Sequence, residues 1–163
     1  MMMDIIYDLE TDGVNPLKDR ITAIGIKTAD EEKIITHKDE KRILEEFWAF
    51  LSNKDFRLIG FNNQSFDDRF IIIRSFRHNI KVVDLKSRSM DLRLILGGKH
   101  SKGTLEEYSR MIGHKENYNG FTGSHISLLW QRGDIKELRE YLMQDALMTY
   151  AIYIRLKEMG CLS

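Results

Sequence analysis

Three places in this 163-residue chain hold residue types whose spacing could do chemistry. The first is Asp8-Leu9-Glu10. Residues two apart on a strand point to one face, so both carboxylates would converge there. Two close carboxylates repel unless a cation lies between them. Hard divalent cations such as Mg2+ and Mn2+ prefer such oxygen ligands. D-x-E is also a common surface pattern, and Asp30-Glu31-Glu32 shows it in a polar turn. Asp8 differs because Ile5, Ile6, Tyr7 and Leu9 flank it. The second place is Gly60-Phe61-Asn62-Asn63-Gln64-Ser65-Phe66-Asp67. Asp67 would fall in the first turn of a helix, where an acid suits the dipole. On these residues alone a capping role is the simpler use, and Asp68 could fill it equally well. The third place is Tyr141-Leu142-Met143-Gln144-Asp145. A spacing of four puts Tyr141 and Asp145 on one helix face, beside Leu138, Leu142 and Thr149. An Asp inside an apolar stripe needs a partner or a metal, because burying a free carboxylate is costly. If the edge of the stripe is wet, Tyr141 simply packs. Y-x-x-x-D occurs nowhere else in the chain.

These residues need elements to position them. Asp4–Leu9 predicts a strand that ends at the turn-like Thr11–Pro16. Ile21–Lys27 and Lys33–His37 predict a hairpin around the polar Ala29–Glu32. Apolar residues at three- and four-residue spacing predict a helix over Lys41–Leu51. Arg57–Phe61 predicts a short buried strand. Phe66–His78 predicts a helix with Phe66, Phe70, Ile73 and Phe76 on one side. Ser87–Leu92 has a brief strand-like segment. Lys102–Gly113 predicts a helix in which Thr104 and Glu107 form a capping box. Glu116–Ser124 reads as a loop and Ile126–Gln131 as a short helix. The longest helix is expected over Ile135–Met159, capped by Gly133-Asp134 and stopped by Gly160. Its apolar face would run from Ile135 through Leu138, Leu142, Ala146, Thr149, Ile152 and Tyr153 to Leu156. An early antiparallel hairpin followed by alternating elements predicts one domain over residues 1–163. Its architecture would be a mixed α/β sheet flanked by helices.

Taken in order, D-x-E, N-x-x-x-F-D and Y-x-x-x-D resemble the motifs of the DEDD superfamily of 3′–5′ exonucleases, which have the ribonuclease H-like fold. Tyr141 points to the tyrosine-type branch, and no H-x-x-x-x-D spacing occurs that would fit the histidine type. Y-D-L-E-T, G-F-N-N-Q-S-F-D and Y-L-M-Q-D-A are similar to the patterns of the proofreading domain of family-B DNA polymerases. The resemblance runs from about Asp4 to Tyr150. It implies a site with two divalent cations, Mg2+ or Mn2+. Asp8, Glu10 and Asp145 would hold the one that activates water. Asp8 would bridge to the second, and Asp67 would fix that ion's waters. Tyr141 would orient the attacking water. By the same resemblance, Asn62 and Phe66 would contact the 3′-terminal nucleotides, and Leu9 and Thr11 would line the terminal base and sugar.

Composition excludes other classes. Lys+Arg and Asp+Glu are 25 each, so net charge is zero and coating nucleic acid through bulk positive charge is excluded. Charge is unevenly placed, however. Four acids and no Lys or Arg lie in residues 1–13, and residues 74–102 carry a net +6. An acidic metal cup beside a basic stretch suits a polyanion, although scattered solvated faces would explain the bases equally well. One cysteine, Cys161, excludes an internal disulfide framework and a cysteine zinc site. No apolar run reaches the roughly 18 residues of a membrane span, and the start of the chain lacks the regions of a signal peptide. Gly97–Thr104 does not fit the P-loop pattern, because His100 follows Lys99. As a basic loop it could touch substrate backbone through Lys102, and Asn119–Ser124 could lie near the site. Trp48 and Trp130 read as core, and the five histidines have no ligand spacing.

The resulting expectation is a stand-alone, cytoplasmic exonuclease acting on nucleic acid with a free 3′ end, without a membrane, in a role such as DNA repair. DNA is favoured. Trimming of RNA by the same chemistry and a non-catalytic nucleic-acid-binding or tethering module are the alternatives. A protein partner or a second copy stays open.

Overall fold

The computed structural model describes residues 1–100, 102–115 and 123–163. Its five strands are β1 (Met3–Thr11), β2 (Ile21–Lys27), β3 (Glu32–Ile35), β4 (Phe56–Gly60) and β5 (Ser89–Asp91). They form one sheet in the order β3-β2-β1-β4-β5. β2 pairs antiparallel with β1 and β3, whereas β4 pairs parallel with β1 and β5. Among the described residues six helices flank the sheet: α1 (Glu40–Leu51), α2 (Asp67–Arg77), α3 (Leu92–Gly97), α4 (Leu105–Met111), α5 (Gly123–Arg132) and α6 (Ile135–Glu158). This is the mixed α/β sheet with an early hairpin that the order of elements predicts.

Alternation along β1 sorts its side chains between two cores. Ile5, Tyr7 and Leu9 meet Ile43, Leu44, Phe47 and Trp48 of α1 and Phe70 and Ile71 of α2. On the opposite face, Ile6 and Ile59 meet Ala146, Ile152, Tyr153 and Leu156 of α6. Each large side chain buried in this way contributes roughly 1.5–3 kcal/mol. Trp48 is a core residue whose Nε1–H donates to Ser75 Oγ at 2.9 Å. Asp39 caps α1, and the Thr104–Glu107 capping box of α4 forms as its spacing predicts.

Several local expectations are corrected. The inward stripe of α2 is Asp67, Phe70, Ile71, Arg74 and Ser75, and Phe76 is 87% exposed. A buried ion pair takes the place that the aromatic was expected to fill. Arg74 Nη2 and Nε bond Glu40 at 2.7 and 2.8 Å, and Glu40 also accepts from the Ile21 N–H at 2.8 Å. A charge with a fixed partner can thus displace an apolar side chain from the inner face. Asp134 sits at the N-cap of α6 without a side-chain cap bond, and Ile135 is 42% exposed. Residues 98–100, expected in a loop, form a turn of 3-10 helix after α3. Neither that turn nor α3 was expected. The Asp91 side chain nucleates α3 by accepting from the Arg93 N–H at 3.0 Å.

Candidate active site

β1 carries the site at its carboxyl end. Asp8 and Glu10 share the face that looks toward α6, opposite Gly25 and Ala23 of β2. Those two small residues let the helix come close. A Cβ on Gly25 would lie 3.7 Å from the Leu142 carbonyl oxygen. Three residues after Leu142, Asp145 meets the strand. Carboxylate oxygens of Asp8, Glu10 and Asp145 all lie within 4.8 Å of one another. Among the described residues this is the set of acids able to hold a metal ion together.

Asp67 approaches from the other side of β1. β4 pairs with β1 only over Met3–Ile6, which leaves the Leu9 N–H beyond the end of the neighbouring strand. Asp67 Oδ1 accepts that N–H at 3.0 Å. One oxygen of Asp67 is thus spent on the backbone between Asp8 and Glu10, and Asp67 stands outside the converging trio. Asp67 and Asp68 both lie in the first turn of α2, as expected, where an acid suits the helix dipole. Asp68 accepts from the Tyr7 and Ser89 hydroxyls and braces β1 against β5.

The electrostatics match this crowding. Burial lifts the Asp8 carboxyl well above the ordinary range, and the charges of Asp145, Asp67, Glu10 and Glu106 raise it further. Burial, then Asp145 and Asp67, pushes Glu10 from 4.5 to about 8. Asp67 is pushed to about 7 by burial, with the Leu9 N–H opposing and Asp68 and Asp91 adding to the rise. Burial also raises the Tyr141 phenol, followed by Asp145, Glu10, Asp8 and Glu106. The half-buried Tyr141 packs against the cluster of Ala23, Ile126, Leu138 and Leu142. Acids so destabilised as anions fit a hard divalent cation, whose charge would reverse each of these shifts. The donor set is oxygen only, as Mg2+ and Mn2+ prefer.

The other expected site residues are placed less uniformly. Asn62 has φ of +63°, a left-handed conformation uncommon outside glycine. It is fastened there by its N–H to Asp91 Oδ1 at 2.8 Å and by Arg93 Nη1 to its side-chain oxygen at 3.1 Å. Phe66 is half-buried against Phe70, with ring centroids 5.3 Å apart. Leu9 is corrected as a lining residue: its side chain is 5% exposed and lies in the α1–α2 core, so it meets the site only through its backbone. Thr11 ends β1 with its hydroxyl donating to the Gly13 carbonyl at 2.6 Å. Lys102 is exposed, and its carbonyl accepts from the Tyr108 hydroxyl at 2.7 Å. Residues 119–122 of the second expected loop lie outside the described residues, and Gly123 already opens α5.

Sequence reasoning missed three contributors. Asp91 and Arg93 hold the 61–64 turn, and Glu106 on α4 adds its charge at Asp8 and Tyr141. Asp91 was legible as a cap before an apolar run. Glu106 was hidden by its neighbour Glu107 in the capping box. The basic stretch 74–102 is not one patch. Arg74 is buried on Glu40, Arg88 lies over the Phe56 ring and Arg93 reaches Asn62.

The DNA polymerase of Archaeoglobus fulgidus is 28% identical over 84% of this chain and 20% of its own length. The structure of the family B DNA polymerase from Pyrobaculum calidifontis superposes with a TM-score of 0.81. At 18% identity, with 96% of this chain and 24% of that one covered, the likeness is one of fold. The chain thus spans about a quarter or less of these two polymerases. An uncharacterized protein of Methanocaldococcus jannaschii is 35% identical, with 98% of each chain covered. The RNase H superfamily profile matches residues 5–157, nearly the whole fold just described. By that match, this chain belongs to the RNase H superfamily.

Proposed function

We propose that the protein is a metal-dependent 3′–5′ exonuclease of the tyrosine-type DEDD class, releasing nucleoside monophosphates from the 3′ end of single-stranded or frayed DNA. The convergence of Asp8, Glu10 and Asp145 within 4.8 Å carries this reading. Asp8, Glu10 and Asp145, with Asp67 beside them, would hold the divalent cations. Such cations supply charge stabilisation at both the attacked and the departing oxygen and make a bound water more acidic.

The protein's own groups do the rest. Tyr141 keeps its proton at neutral pH, because burial and the surrounding carboxylates hold its phenol above the ordinary value. It can therefore orient a water through one donated and one accepted hydrogen bond, and it does not act as the base. Asn62, locked by Asp91 and Arg93, offers a rigid turn for the terminal nucleotide, with the Phe66 ring beside it. Thr11 stands at the mouth of the strand, and the exposed Lys102 serves the phosphate backbone. The likeness to two DNA polymerases favours DNA over RNA as substrate.

The test is incubation with 5′-labelled DNA and RNA oligonucleotides in Mg2+, in Mn2+ and in EDTA. The expected result is a ladder shortened from the 3′ end in either metal and none in EDTA. Absence of cleavage in both metals, or efficient digestion of circular single strands, overturns the reading.

A further inference from the structure

A groove runs along α2 away from the candidate active site. Ile72 and Ile73 of α2 form one wall, Val82, Val83 and Leu85 form the other, and it encloses about 860 Å³. That is the upper part of the range for ligand pockets, and the walls are mainly aliphatic. Its near end is made by Gln64, Asp68 and Ser89. Asp68 follows the site residue Asp67 directly. The Gln64 N–H bonds Asp91 Oδ2 at 3.3 Å and its side chain bonds the Ser89 carbonyl at 3.1 Å. The groove therefore starts at the turn that carries Asn62, on the α2 side of the sheet.

Its rim is cationic. Arg69 and Lys86 line it, and the exposed Arg77 and Lys81 are close in sequence, Arg77 four residues after Ile73 on α2 and Lys81 just before Val82. None of these four cations forms an ion pair among the described residues. Two acids, Asp68 and Asp84, also line the groove. Asp68 is turned inward to Tyr7 and Ser89, and Asp84 accepts from the Lys86 N–H at 3.0 Å. Phe76, one helical turn past Ile72 on the same face, is 87% exposed. An apolar floor, an exposed ring and unpaired cations together match what single-stranded nucleic acid requires: a surface for bases and charge for phosphates.

We propose that this groove is a second nucleic-acid contact, holding the unpaired strand upstream of its 3′ end, with bases on Ile72, Ile73, Val82 and Phe76 and phosphates toward Arg69, Lys86, Arg77 and Lys81. The proposal rests on the exonuclease reading for the identity of the site at the groove's end. The start of the groove at the Asn62 turn, together with cations on both walls, favours a strand over an acidic amphipathic segment of a protein partner.

The experiment uses two variants of the full chain, Arg69→Glu/Lys86→Glu and Phe76→Ala, all at exposed positions. Binding of a fluorescent oligothymidylate is read by anisotropy in EDTA at several salt concentrations, with cleavage of tetrathymidylate in Mn2+ measured separately. For an oligomer of about 20 nucleotides, the double reversal should weaken binding roughly ten- to a hundredfold and flatten the log–log salt slope by about 1.4, the loss of two phosphate contacts. Phe76→Ala should weaken binding about fivefold or more, the loss of one stacked base. Tetrathymidylate, which reaches only the near part of the groove, should lose less cleavage in both variants than the long oligomer loses binding. Unchanged affinity for the long oligomer overturns the groove proposal whatever the cleavage result. So does loss, on charge reversal, of binding to a Leu/Glu amphipathic peptide while the oligomer still binds. Failure of the wild type to cleave any oligomer sinks the exonuclease reading alone, because the groove is judged by binding without metal.

Discussion

Removing one charge from the carboxylate cluster should make the metal-free protein more stable. Asp8→Asn is the sharpest case, because the charges of Asp145, Asp67, Glu10 and Glu106 all bear on Asp8. Two full charges at the 4.8 Å limit of the cluster repel by about 3 kcal/mol at an effective dielectric near 20. The native protein sheds part of that by keeping protons, as the rise of Glu10 to about 8 indicates. Some of the desolvation cost also remains with the amide. The net gain expected in EDTA, above the pH where Glu10 ionises, is about 1–3 kcal/mol, or a rise in Tm of about 3–10 °C for a chain of this size. Asparagine supplies a weaker oxygen ligand without charge. The wild type should therefore gain stability on adding Mn2+, by mass action on the folded state, and the variant should gain little or none. Thermal unfolding followed by circular dichroism, in EDTA and across a Mn2+ series, reads both quantities. If Asp8→Asn melts at or below the wild type in EDTA, the acids are not held against their repulsion, and the case for a cation site falls. If Mn2+ stabilises both proteins equally, the ion binds elsewhere.

Tyr141→Phe should keep Mn2+ affinity by calorimetric titration while single-turnover cleavage slows by about ten- to a thousandfold, since only the orienting hydroxyl is removed. An equal loss of Mn2+ affinity in Tyr141→Phe and Asp145→Asn would make Tyr141 a support of the metal site instead. Gly60→Ala should destabilise by about 1–3 kcal/mol in urea unfolding, because its Cβ would lie 2.6 Å from Cβ of the fully buried Asn63. Glu40→Gln should cost about 3–5 kcal/mol by leaving the Arg74 charge buried without its partner. Burial alone would raise the Glu40 carboxyl, yet Arg74, His78 and the Ile21 N–H hold it below its ordinary value. Its contribution is therefore present above the ordinary value of 4.5 and is lost as pH falls through the lower folded value. The wild type should accordingly lose stability more steeply than Glu40→Gln below about pH 4 in acid titrations.

Much of this molecule could be read from local pattern. β2 was expected over Ile21–Lys27 and forms there, because its apolar run is bounded by polar turns on both sides. The α4 capping box needed only two residues three apart. Asp8 and Glu10 share a face simply because β1 is a strand, and Tyr141 and Asp145 share one because α6 is a helix. Spacing could not say that the strand and the helix would bring Asp8, Glu10 and Asp145 together. That depends on α6 crossing β1 and β2 where Gly25 and Ala23 leave room, a contact between segments more than a hundred residues apart. Nor could spacing divide the labour between Asp67 and Asp68. The choice was made by the early end of β4, which leaves the Leu9 N–H to Asp67, and by the Tyr7 and Ser89 hydroxyls, which claim Asp68. Phe76 and Arg74 are the reverse case. Hydropathy alone would bury the aromatic and expose the cation, but a partner fixed on α1 made the cation the inward residue. Local sequence determined the elements and the faces their side chains occupy. Tertiary structure decided which faces meet, because hydrogen-bond partners and packing space for a buried charge come from distant parts of the chain.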